Sequence, residues 1–318
     1  MDENQKNLNR DYLMEMLEKQ YEKQDIDRIL DGYKLKRIVS LRINTIKADI
    51  EDVKQKLKYE GVEFETVLWS DSALIIKNKS EADLQQLDMY NNGEIYLQNL
   101  SSMLPPIVLQ AQENEDILDM AAAPGGKTTQ IAALTGNNAN ITACEMNAIR
   151  VERLKYNIEK QGASSVYIMK KDSREIDDFF SFDRILLDAP CSGSGTLDFN
   201  DDKTFKYFTP RLVEKSSKTQ LTLLRKALKI LKPGKELVYS TCSILSCENE
   251  DVVNQVLKEN NAELVAISFE GMDELPLLPT KLPGTICVCP NELYEGFFVA
   301  KIMKIKDWFI WHFEIIRV

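Results

Sequence analysis

From residue 116 onward, short apolar segments alternate with amphipathic ones, and this alternation limits the possible folds more than any other feature of the sequence. The apolar segments read DILDM, NITACE, VYIMK, RILLD and ELVYST. Each is short and almost wholly apolar, as strands are when a parallel sheet buries both of their faces. The longer segments between them have the apolar spacing of helices. Strands that alternate with helices predict an α/β fold built on a doubly wound, Rossmann-like parallel sheet.

The alternation also divides the chain into parts. We predict an α/β domain over residues 93–304, preceded by a small α+β module over residues 1–92. In that module a charged helical stretch is followed by a strand, a helix and two strands, which read RIVSLRIN, DIEDVKQKL, EFETVLW and ALIIK. The segment SSMLPPIVLQAQ predicts a helix that begins after a serine N-cap. Residues 305–318 form an apolar tail, which we expect to pack against the protein or to contact a partner.

A glycine-rich loop follows the first strand of the α/β domain. It consists of Ala121, Ala122, Ala123, Pro124, Gly125, Gly126 and Lys127. A P-loop shares its Gly-Lys-Thr ending but needs a glycine where this chain has Ala121. A loop for S-adenosylmethionine (SAM) or a dinucleotide needs small residues, and an acid at the end of the next strand to bind ribose hydroxyls. Glu145 stands there, 19 residues after Gly126, which favours the SAM-type loop over a P-loop or a structural turn.

Two further acids follow neighbouring strands. Asp172 comes after the third strand and Asp188 ends the fourth. Ligands of doubly wound sheets bind beyond the carboxyl ends of the strands, so we expect Glu145, Asp172 and Asp188 to face the glycine-rich loop. A single acid in such a place is commonly a helix cap or a solvated loop residue. Three acids in register with the loop indicate a polar ligand with hydroxyl, amino or positively charged groups.

Two cysteines follow the fourth and fifth strands. Cys191 lies in DAPCSGSG and Cys242 in YSTCS. In such a sheet strand four lies beside strand one and strand five beside strand four, about 4.8 Å away. We therefore predict that the two thiols face one pocket together with Asp188. The alternatives are inert thiols, a redox pair or a metal site. No metal is expected, because the cysteines lack CxxC spacing and His312 is the only histidine.

Two thiols beside a SAM site fit one reaction well. C5 of cytosine is too weak a nucleophile to take a methyl group directly, but a thiolate that adds to C6 activates C5. A base must then remove the C5 proton and release the thiolate. The reaction needs one activated thiol, an acid near N3 and a group that assists elimination, and Cys242, Asp188 and Cys191 are a sufficient set. Amino-group methyltransferases commonly carry Asp/Asn-Pro-Pro-Tyr/Phe after the fourth strand, where this chain has DAPC.

Composition and charge exclude several classes of protein. Among the 318 residues no apolar run approaches the roughly 18–20 residues of a membrane span. Signal-peptide and disulfide-scaffold patterns are lacking, so we expect a cytoplasmic protein with reduced thiols and no membrane association. The net charge of −10 argues against coating by nucleic acid through bulk charge, but two local runs are basic. The first run holds Lys34, Lys36, Arg37 and Arg42, and the second holds Lys203, Lys206, Arg211, Lys215 and Lys218. Each run is either a solvated face or a local contact with nucleic acid.

Five motifs carry a resemblance to a known family. DAPCSGSG, YSTCS, AAAPGGKT, YLQNLSSMLP and EGFFVAKI together resemble the RNA (cytosine-C5) methyltransferases of the Sun/Nop/Fmu (RsmB/RsmF-like) type, over residues 35–304. The resemblance implies a SAM-dependent methyltransferase sheet of seven strands, the last antiparallel, behind an N-terminal RNA-binding module. It implies that Cys242 is the nucleophile and that Cys191 assists product release. The loop from Ala121 to Lys127, Glu145, Asp172 and Asp188 match the family's SAM positions. The implied partner is RNA, either rRNA or tRNA, and we expect the protein to act as a monomer.

The sequence departs from the family pattern at three places. Ala121 stands where cysteine is common, no arginine-rich stretch follows DAPCSGSG, and CVCPNELYE replaces the Pro-His pair before GFF. These departures leave the SAM and cysteine motifs intact. Two other hypotheses stay open, namely a SAM enzyme acting on DNA cytosine and a P-loop NTPase or non-catalytic RNA-binding protein. DNA enzymes of this chemistry usually place the nucleophile in the Pro-Cys motif and carry a large target-recognition insert, which is not seen here.

Overall fold

The computed structural model describes residues 3–306 of the chain. The helices are α1 (Glu3–Glu18), α2 (Lys23–Lys34), α3 (Ile50–Tyr59), α4 (Glu81–Leu84), α5 (Asp88–Asn91), α6 (Leu100–Leu109), α7 (Gly126–Leu134), α8 (Ala148–Gln161), α9 (Asp202–Tyr207), α10 (Pro210–Ile230) and α11 (Glu250–Glu259). The strands are β1 (Ser40–Ile43), β2 (Phe64–Val67), β3 (Ser70–Ile76), β4 (Ile95–Leu97), β5 (Asp116–Asp119), β6 (Asn140–Cys144), β7 (Val166–Met169), β8 (Phe182–Asp188), β9 (Leu231–Thr241), β10 (Ala262–Val265), β11 (Leu277–Leu278), β12 (Ile286–Val288) and β13 (Phe297–Lys304). All but the first two positions of the predicted tail, residues 305–318, lie outside this range.

The large sheet has the strand order β11-β12-β13-β9-β8-β5-β6-β7, with β10 paired to β13. The five strands from β5 to β9 pair in parallel, and β8 lies between β5 and β9. These are the neighbours that the alternation of strands and helices predicted, so the Rossmann-like fold is confirmed. β13 closes the parallel part by pairing antiparallel with β9.

The large sheet has nine strands among the described residues, two more than the seven that the resemblance implied. The additional strands are β11 and β12, a short antiparallel pair that extends the sheet beyond β13. Each has only two or three residues, which is too short for an apolar pattern to identify in the sequence. β10 and β12 occupy different halves of the outer edge of β13, so together they cover that edge.

Local sequence signals define the helices around the sheet. α8 begins where the Asn147 side chain accepts hydrogen bonds from the next turn, and it ends at Gly162, which has a φ of 68°. α10 begins with Pro210 behind the N-cap Thr209. α6 departs from the prediction, because its N-cap is Asn99 and not a serine. The Asn99 side chain accepts from the Ser101 backbone N–H, and so the helix starts before the two serines.

The small N-terminal sheet has the order β2-β3-β1-β4 and is antiparallel throughout. Its apolar face packs on α3 around Leu41, Val53, Leu57 and Leu74, which are buried. β4 lies beyond residue 92, where we predicted the end of the N-terminal module, yet it pairs with β1 in this sheet. The segment that follows β4 leads directly into α6 and the α/β domain, so the small sheet and the large domain meet around β4.

The first two helices pack against the α/β domain and belong to its core. Leu13 and Leu17 of α1 lie in one apolar cluster with residues of β8 and β9. The Tyr21 hydroxyl, between α1 and α2, donates to the Ile244 carbonyl at 2.7 Å. The Tyr33 hydroxyl of α2 donates to the Ser194 carbonyl at 2.5 Å. α1 and α2 therefore brace the loops that follow β9 and β8. Within residues 3–306, no helix combines the length and apolarity needed to cross a bilayer.

Candidate active site

The carboxyl ends of the parallel strands bring several acids to one edge of the sheet. Asp119 ends β5, Glu145 follows β6 and Asp188 ends β8. Backbone hydrogen bonds hold these ends together, because the Ala122 N–H donates to the Cys144 carbonyl at 3.0 Å, and the Glu145 N–H to the Met169 carbonyl at 3.2 Å. The carboxyl ends of β5, β6 and β7, where the ligand site was predicted, are therefore hydrogen bonded side by side.

The glycine-rich loop, residues 121–127, joins β5 to α7. Gly125 has a φ of 112°, a left-handed conformation that side chains disfavour, and it forms the N-cap of α7. A Cβ atom on Gly126 would lie 3.0 Å from the Tyr96 ring. The small residues thus let the start of α7 approach β4 closely, and the exposed N–H groups of a helix start favour a ligand with negative or acceptor groups.

A cavity of about 250 Å³ opens between the glycine-rich loop and the segment from β4 into α6. Six of the seven loop residues line it, and Gly125 does not. The acids that line it are Asp119, Asp188 and Glu295. Glu145 and Asp172 lie outside the lining, further along the same edge. The sequence analysis missed Asp119, although it is an acid at a strand end like the others, and it missed the Tyr96 wall, which depends on the fold.

Asp119 is a buried acid at the base of the cavity. Thr128 Oγ1 donates to its Oδ2 at 2.6 Å, and the Ala121 N–H approaches its Oδ1 at 3.3 Å. Burial raises the pKa of Asp119 to about 6, although the hydrogen bond from Thr128 lowers it. Asp119 therefore joins β5 to α7 and takes up a proton more readily than an ordinary aspartate.

Lys127 connects the glycine-rich loop to Asp188. Its Nζ lies 2.7 Å from Asp188 Oδ2 and donates to Ser102 Oγ at 2.8 Å. Burial works against its charge, but Asp188, Asp119 and the nearby Cys242 sulfur outweigh burial and raise the pKa of Lys127. Ser240 Oγ donates to the other oxygen of Asp188 at 2.8 Å. The Asp188 carboxylate is thereby held between β8, β9 and α7.

Glu145 is only 4% exposed, and its carboxylate is fixed from both sides. The Asn147 N–H donates to Oε1 at 2.8 Å, and Arg150 Nη1 lies 3.1 Å from Oε2. Arg150 also donates to the Ala123 carbonyl at 2.6 Å, so it links Glu145 to the glycine-rich loop. Because Arg150 is half exposed, the Glu145 oxygens are accessible to a ligand that displaces or shares this contact.

Asp172 is held by a neighbouring arginine. Arg174 Nε donates to its Oδ1 at 3.0 Å and Nη2 to its Oδ2 at 2.5 Å, and the Arg174 backbone N–H also donates to Oδ1. These hydrogen bonds lower the pKa of the Asp172 carboxyl. Asp172 also caps a single 3-10 turn at Ser173–Glu175. The structure thus gives Asp172 a capping role and an ion pair, beside any contact with a ligand.

The two thiols of the predicted pair lie together. The Sγ atoms of Cys191 and Cys242 are 2.9 Å apart, both cysteines are free, and either sulfur can donate to the other. The hydrogen bond with Cys242, together with burial, raises the pKa of the Cys191 thiol well above its usual range. The Cys191 thiol therefore loses its proton less readily than an ordinary thiol.

A buried carboxylate ties the two cysteine loops to each other. Glu248 is 0% exposed, and burial raises its pKa. Its Oε1 accepts from the Ser192 N–H at 2.8 Å, and its Oε2 accepts from Ser192 Oγ at 2.5 Å and Ser243 Oγ at 2.7 Å. Ser192 follows Cys191 and Ser243 follows Cys242, so one side chain holds the neighbours of both thiols. Sequence reasoning missed Glu248, and the only signal was an acid shortly after YSTCS.

The small residues of the two loops allow this close approach. A Cβ atom on Gly195 would lie 1.9 Å from the Gly296 carbonyl oxygen. The Gly195 N–H donates to the Cys242 carbonyl at 3.0 Å, and Ser194 Oγ accepts from the Ile244 N–H at 3.0 Å. Glycine at this position lets the loop after β8 lie directly on the segment that precedes β13. The SGSG segment therefore reflects packing between two backbones.

The structure separates the first predicted basic run. Arg42 is 2% exposed and bonds Gln98 Oε1 and Thr129 Oγ1 inside the protein. Arg37 is half-buried and donates to the Gly32 and Asn291 carbonyls. Lys34 is exposed but pairs with Asp31 at 2.8 Å. Both predictions for this run, a solvated face or a contact with nucleic acid, are therefore wrong for Arg42, because its side chain lies between the small sheet and the α/β domain.

Residues 3–306 contain no cluster of three or more histidine, cysteine, aspartate or glutamate side chains arranged to hold a metal ion.

Comparisons with known proteins identify relatives over most of the chain. The family model described as 16S rRNA methyltransferase RsmB/F matches residues 106–303, and the RsmF/B-like ferredoxin-like domain matches residues 11–83. The chain is 39% identical over 278 residues to ribosomal RNA small subunit methyltransferase F of Vibrio atlanticus (strain LGP32), covering 84% of this chain and 58% of that protein. It is 37% identical over 278 residues to the protein of the same name from Shewanella sp. (strain ANA-3), covering 84% of this chain and 56% of that protein. The chain thus spans less than two thirds of these relatives.

Solved structures with the same fold include two from Pyrococcus horikoshii. A methyltransferase homologue is 30% identical, with a TM-score of 0.76, and the match covers 92% of this chain and 99% of that one. NSun6, solved with SFG, is 23% identical, with a TM-score of 0.81, and the match covers 94% of this chain and 98% of that one. The second comparison concerns the fold alone.

Proposed function

Since this chain belongs to the 16S rRNA methyltransferase RsmB/F family, we propose that it uses SAM to methylate C5 of a cytosine in RNA through a covalent bond between Cys242 and C6. The observation that carries this proposal is the distance of 2.9 Å between two free thiols at the carboxyl edge of the sheet. Amino-group methylation has no use for such a pair. The Lys127–Asp188 ion pair beside the thiols supports the same reaction.

The residues around the cavity fit SAM as the cofactor. When bound, SAM supplies an electrophilic methyl group. We assign its binding to the glycine-rich loop and to Glu145, Asp172 and Asp188, which offer carboxylates to its hydroxyl, amino and positively charged groups. The close approach of Gly126 to Tyr96 supports this assignment, because a larger residue there would close the cavity wall. The buried Glu145 is suited to ribose hydroxyls, and the Asp172 carboxylate must share its contact with Arg174.

Cys242 acts as the nucleophile in this proposal. The Cys242 sulfur and the Lys127 ammonium interact, and a neighbouring cation favours the thiolate form that a nucleophilic cysteine needs. In this proposal Cys191, whose pKa is raised, keeps the proton that the pair shares. The Cys242 thiolate then forms a bond with C6 of cytosine, and the electron pair of the C5–C6 double bond becomes available at C5.

Lys127 and Asp188 act on the base as it is attacked. Asp188 is held from two sides by Lys127 and Ser240, which keeps its carboxylate in one orientation. We assign Asp188 to the N3 side of cytosine. The Lys127 ammonium, hydrogen bonded to Asp188, is the proton source there as electron density moves onto the base.

Cys191 completes the reaction. After methylation, C5 carries both a proton and a methyl group, and elimination must remove the proton and break the bond between C6 and the Cys242 sulfur. Cys191 delivers its own proton to the departing sulfur across the short distance between the two and, as a thiolate, accepts the C5 proton. The proton that Lys127 gave to the N3 side returns to Lys127 as the C5–C6 double bond re-forms. Both cysteines end as thiols, and the proton lost from C5 is retained within the pair.

The acceptor is RNA in this proposal, and rRNA is favoured over tRNA because the curated relatives are named for ribosomal RNA. We assign RNA binding to the N-terminal module, residues 1–92, and to the face beside the thiols, and methyl transfer to residues 93–304. DNA cytosine is the competing acceptor. Tritium-labelled SAM offered with RNA, with DNA or without any acceptor distinguishes these hypotheses.

The covalent step is tested by replacing the two thiols one at a time. Cys242→Ala removes the nucleophile, so we expect no methyl transfer and no covalent complex. Cys191→Ala permits attack and methyl transfer but slows elimination, so an RNA–protein adduct should accumulate and survive denaturing electrophoresis. The double variant should lose that adduct, because its formation needs Cys242.

Cys247→Ala is the matched control, because this free cysteine lies five residues after Cys242 and outside the pair. It should transfer methyl groups like the unaltered protein. An adduct with Cys242→Ala and none with Cys191→Ala would reverse the two assignments. No adduct with either variant would favour a redox or structural role for the pair.

A further inference from the structure

A basic groove lies on the exposed face of α10, and none of its cations has been assigned a step in the chemistry proposed above. We define it by four cations, Arg174, Arg211, Lys215 and Lys218. Arg174 comes from the turn after β7, and the other three come from the first turns of α10. Glu214 is the only acid in the lining, and it pairs with Lys218 at 2.6 Å. The groove encloses about 450 Å³, in a protein whose net charge is −10.

The opposite face of α10 is fixed against the cysteine loops. Gln220 is buried, and its Nε2 donates to the Pro190 carbonyl at 3.0 Å, immediately before Cys191. Ser217 Oγ donates to the Cys247 carbonyl at 2.7 Å. The helix rise of 1.5 Å per residue places Lys215 about 8 Å and Arg211 about 14 Å along the axis from Gln220. The groove therefore lies on the face of α10 that points away from the cysteine loops, and its cations stand toward the amino end of the helix.

Two of the four cations are available to a partner. Arg174 is engaged by Asp172 and Lys218 by Glu214. Arg211 and Lys215 are exposed, and the part of the chain that the structure describes offers neither of them an ion pair. They stand four residues apart, so they project from the same face of α10. Two adjacent uncompensated cations on a rigid helix form a site for a polyanion with regularly spaced charges.

We propose that the basic groove binds the phosphates of the RNA strand next to the target cytosine. This inference rests on RNA being the acceptor, as proposed above. A single strand with its cytosine at Cys242 continues past the loop after β8, and α10 is packed against that loop. Arg211 and Lys215 then neutralise backbone phosphates and fix the register of the strand without reading its bases. An acidic protein surface is the competing partner.

The groove is tested with the double variant Arg211→Gln/Lys215→Gln in the full-length chain. Arg174 is left intact because it also contacts Asp172. The probe is a fluorescein-labelled single-stranded RNA with one central cytosine, and anisotropy gives its affinity over a series of salt concentrations. Loss of two phosphate contacts should weaken binding about tenfold at low salt and reduce the slope of log K against log salt by about 1.4.

The control is Arg225→Gln/Lys229→Gln, which removes the same charge from the far end of the same helix. Those side chains pair with Glu259 and Asp178 on the surface and lie outside the groove. The control should keep the affinity and slope of the unaltered protein. Unchanged binding by the groove variant, or an equal loss in both variants, would overturn the inference.

Methyl transfer separates this inference from the proposed function. The groove variant should raise KM for RNA while kcat at saturating RNA is retained, because the thiols and the cofactor loop are intact. If the unaltered protein binds RNA through the groove but transfers no methyl group, the proposed function is wrong and the groove stands. If it methylates RNA and the groove variant has an unchanged KM, the groove is wrong and the function stands.

Discussion

At the scale of single residues, Asp119 at the carboxyl edge of the large sheet has a pKa well above that of an ordinary aspartate. Its folded pKa is about 6, against an ordinary value of 3.8, because it is buried. Between these values the folded protein binds a proton that the unfolded chain has lost. Stability therefore falls as pH rises through this window, by roughly 3 kcal/mol in total.

Asp119→Asn tests this pH dependence. The variant cannot titrate, so we expect its free energy of unfolding to fall less between about pH 4 and pH 6 than that of the unaltered protein. Urea unfolding at a series of pH values measures the difference. Asp71→Asn, at an exposed aspartate, is the control and should leave the profile unchanged. Parallel profiles for Asp119→Asn and the unaltered protein would mean that Asp119 titrates as an ordinary aspartate.

Glu145 should carry a measurable part of cofactor affinity. The Glu145→Ala variant leaves the hydrogen bonds of a bound ligand to this carboxylate unmade, so SAM binding should weaken by about 1–3 kcal/mol. Isothermal titration calorimetry without RNA measures this loss. Glu152→Ala, at an exposed position of α8, should bind SAM as the unaltered protein does. Equal affinities for all three proteins would remove Glu145 from the site.

The residues of the candidate site were predictable to the extent that each sits at a strand end. Glu145, Asp188 and Cys242 follow apolar segments directly, so the topology of a parallel sheet assigns them to one edge. Glu248 and Tyr96 do not directly follow an apolar segment of the parallel sheet, so the sequence gives no such signal for them. Their contacts depend on how separate elements pack, and a local pattern holds no information on that packing. Asp119 was within reach, because it also ends a predicted strand.

At the scale of elements, the loops after β8 and β9 behave as one unit because Glu248 is shared between them. Its carboxylate accepts hydrogen bonds from Ser192 and Ser243, which adjoin the two thiols. Glu248→Gln replaces one acceptor oxygen with an NH2 donor, so the Ser192 and Ser243 hydroxyls must reverse their hydrogen bonds to keep contact with it. The distance between the sulfur atoms then depends on weaker contacts.

We expect Glu248→Gln to lower kcat about a hundredfold, since a displacement of about 1 Å at a reacting group has that effect. KM for SAM should not change, because Glu248 does not contact the glycine-rich loop. Steady-state kinetics with tritiated SAM separates the two constants. Glu250→Gln is the matched control, a buried acid two residues away that faces the Lys281 backbone. Equal losses in both variants would indicate general destabilisation, and Glu248 would then have no positioning role.

The elements that sequence reasoning assigned differently have short or ambiguous patterns. β4 has three residues, and nothing in IYL distinguishes a strand of the small sheet from the start of the next domain. α1 and α2 are charged on their exposed faces, which made them read as part of the N-terminal module. Their buried faces belong to the core of the α/β domain, where Leu13 and Leu17 pack. Hydrophobic periodicity identifies such helices, but it does not specify which partner they bury against.

At the scale of the whole molecule, the two edges of the large sheet have different electrostatic designs. At the amino edge, Arg184 lies 3.2 Å from Glu115, and Lys232 lies 2.7 Å from Asp183. Ion pairs from lysines lower the pKa of Asp183 to about 2, although burial opposes this. The carboxyl edge also holds ion pairs, among them Lys127–Asp188, but in addition it holds a thiol and an aspartate whose pKa values are raised. The two edges therefore differ in their groups with raised pKa values and not in whether charge is compensated.

The bracing of the cysteine loops by α1 and α2 has a consequence for the synthesis of the protein. The Tyr21 hydroxyl donates to the carbonyl of Ile244, which lies 223 positions later in the chain. At the usual rate of translation, synthesis of that interval takes about 10–45 s. During this time the two helices can contact earlier parts of their native surface, such as Phe205 and Phe208, but not the part that β9 and the loop after it supply. The contacts of α1 and α2 with the cysteine loops can therefore form only after those loops have been synthesised. The geometry of the two thiols that these contacts support is completed late in translation.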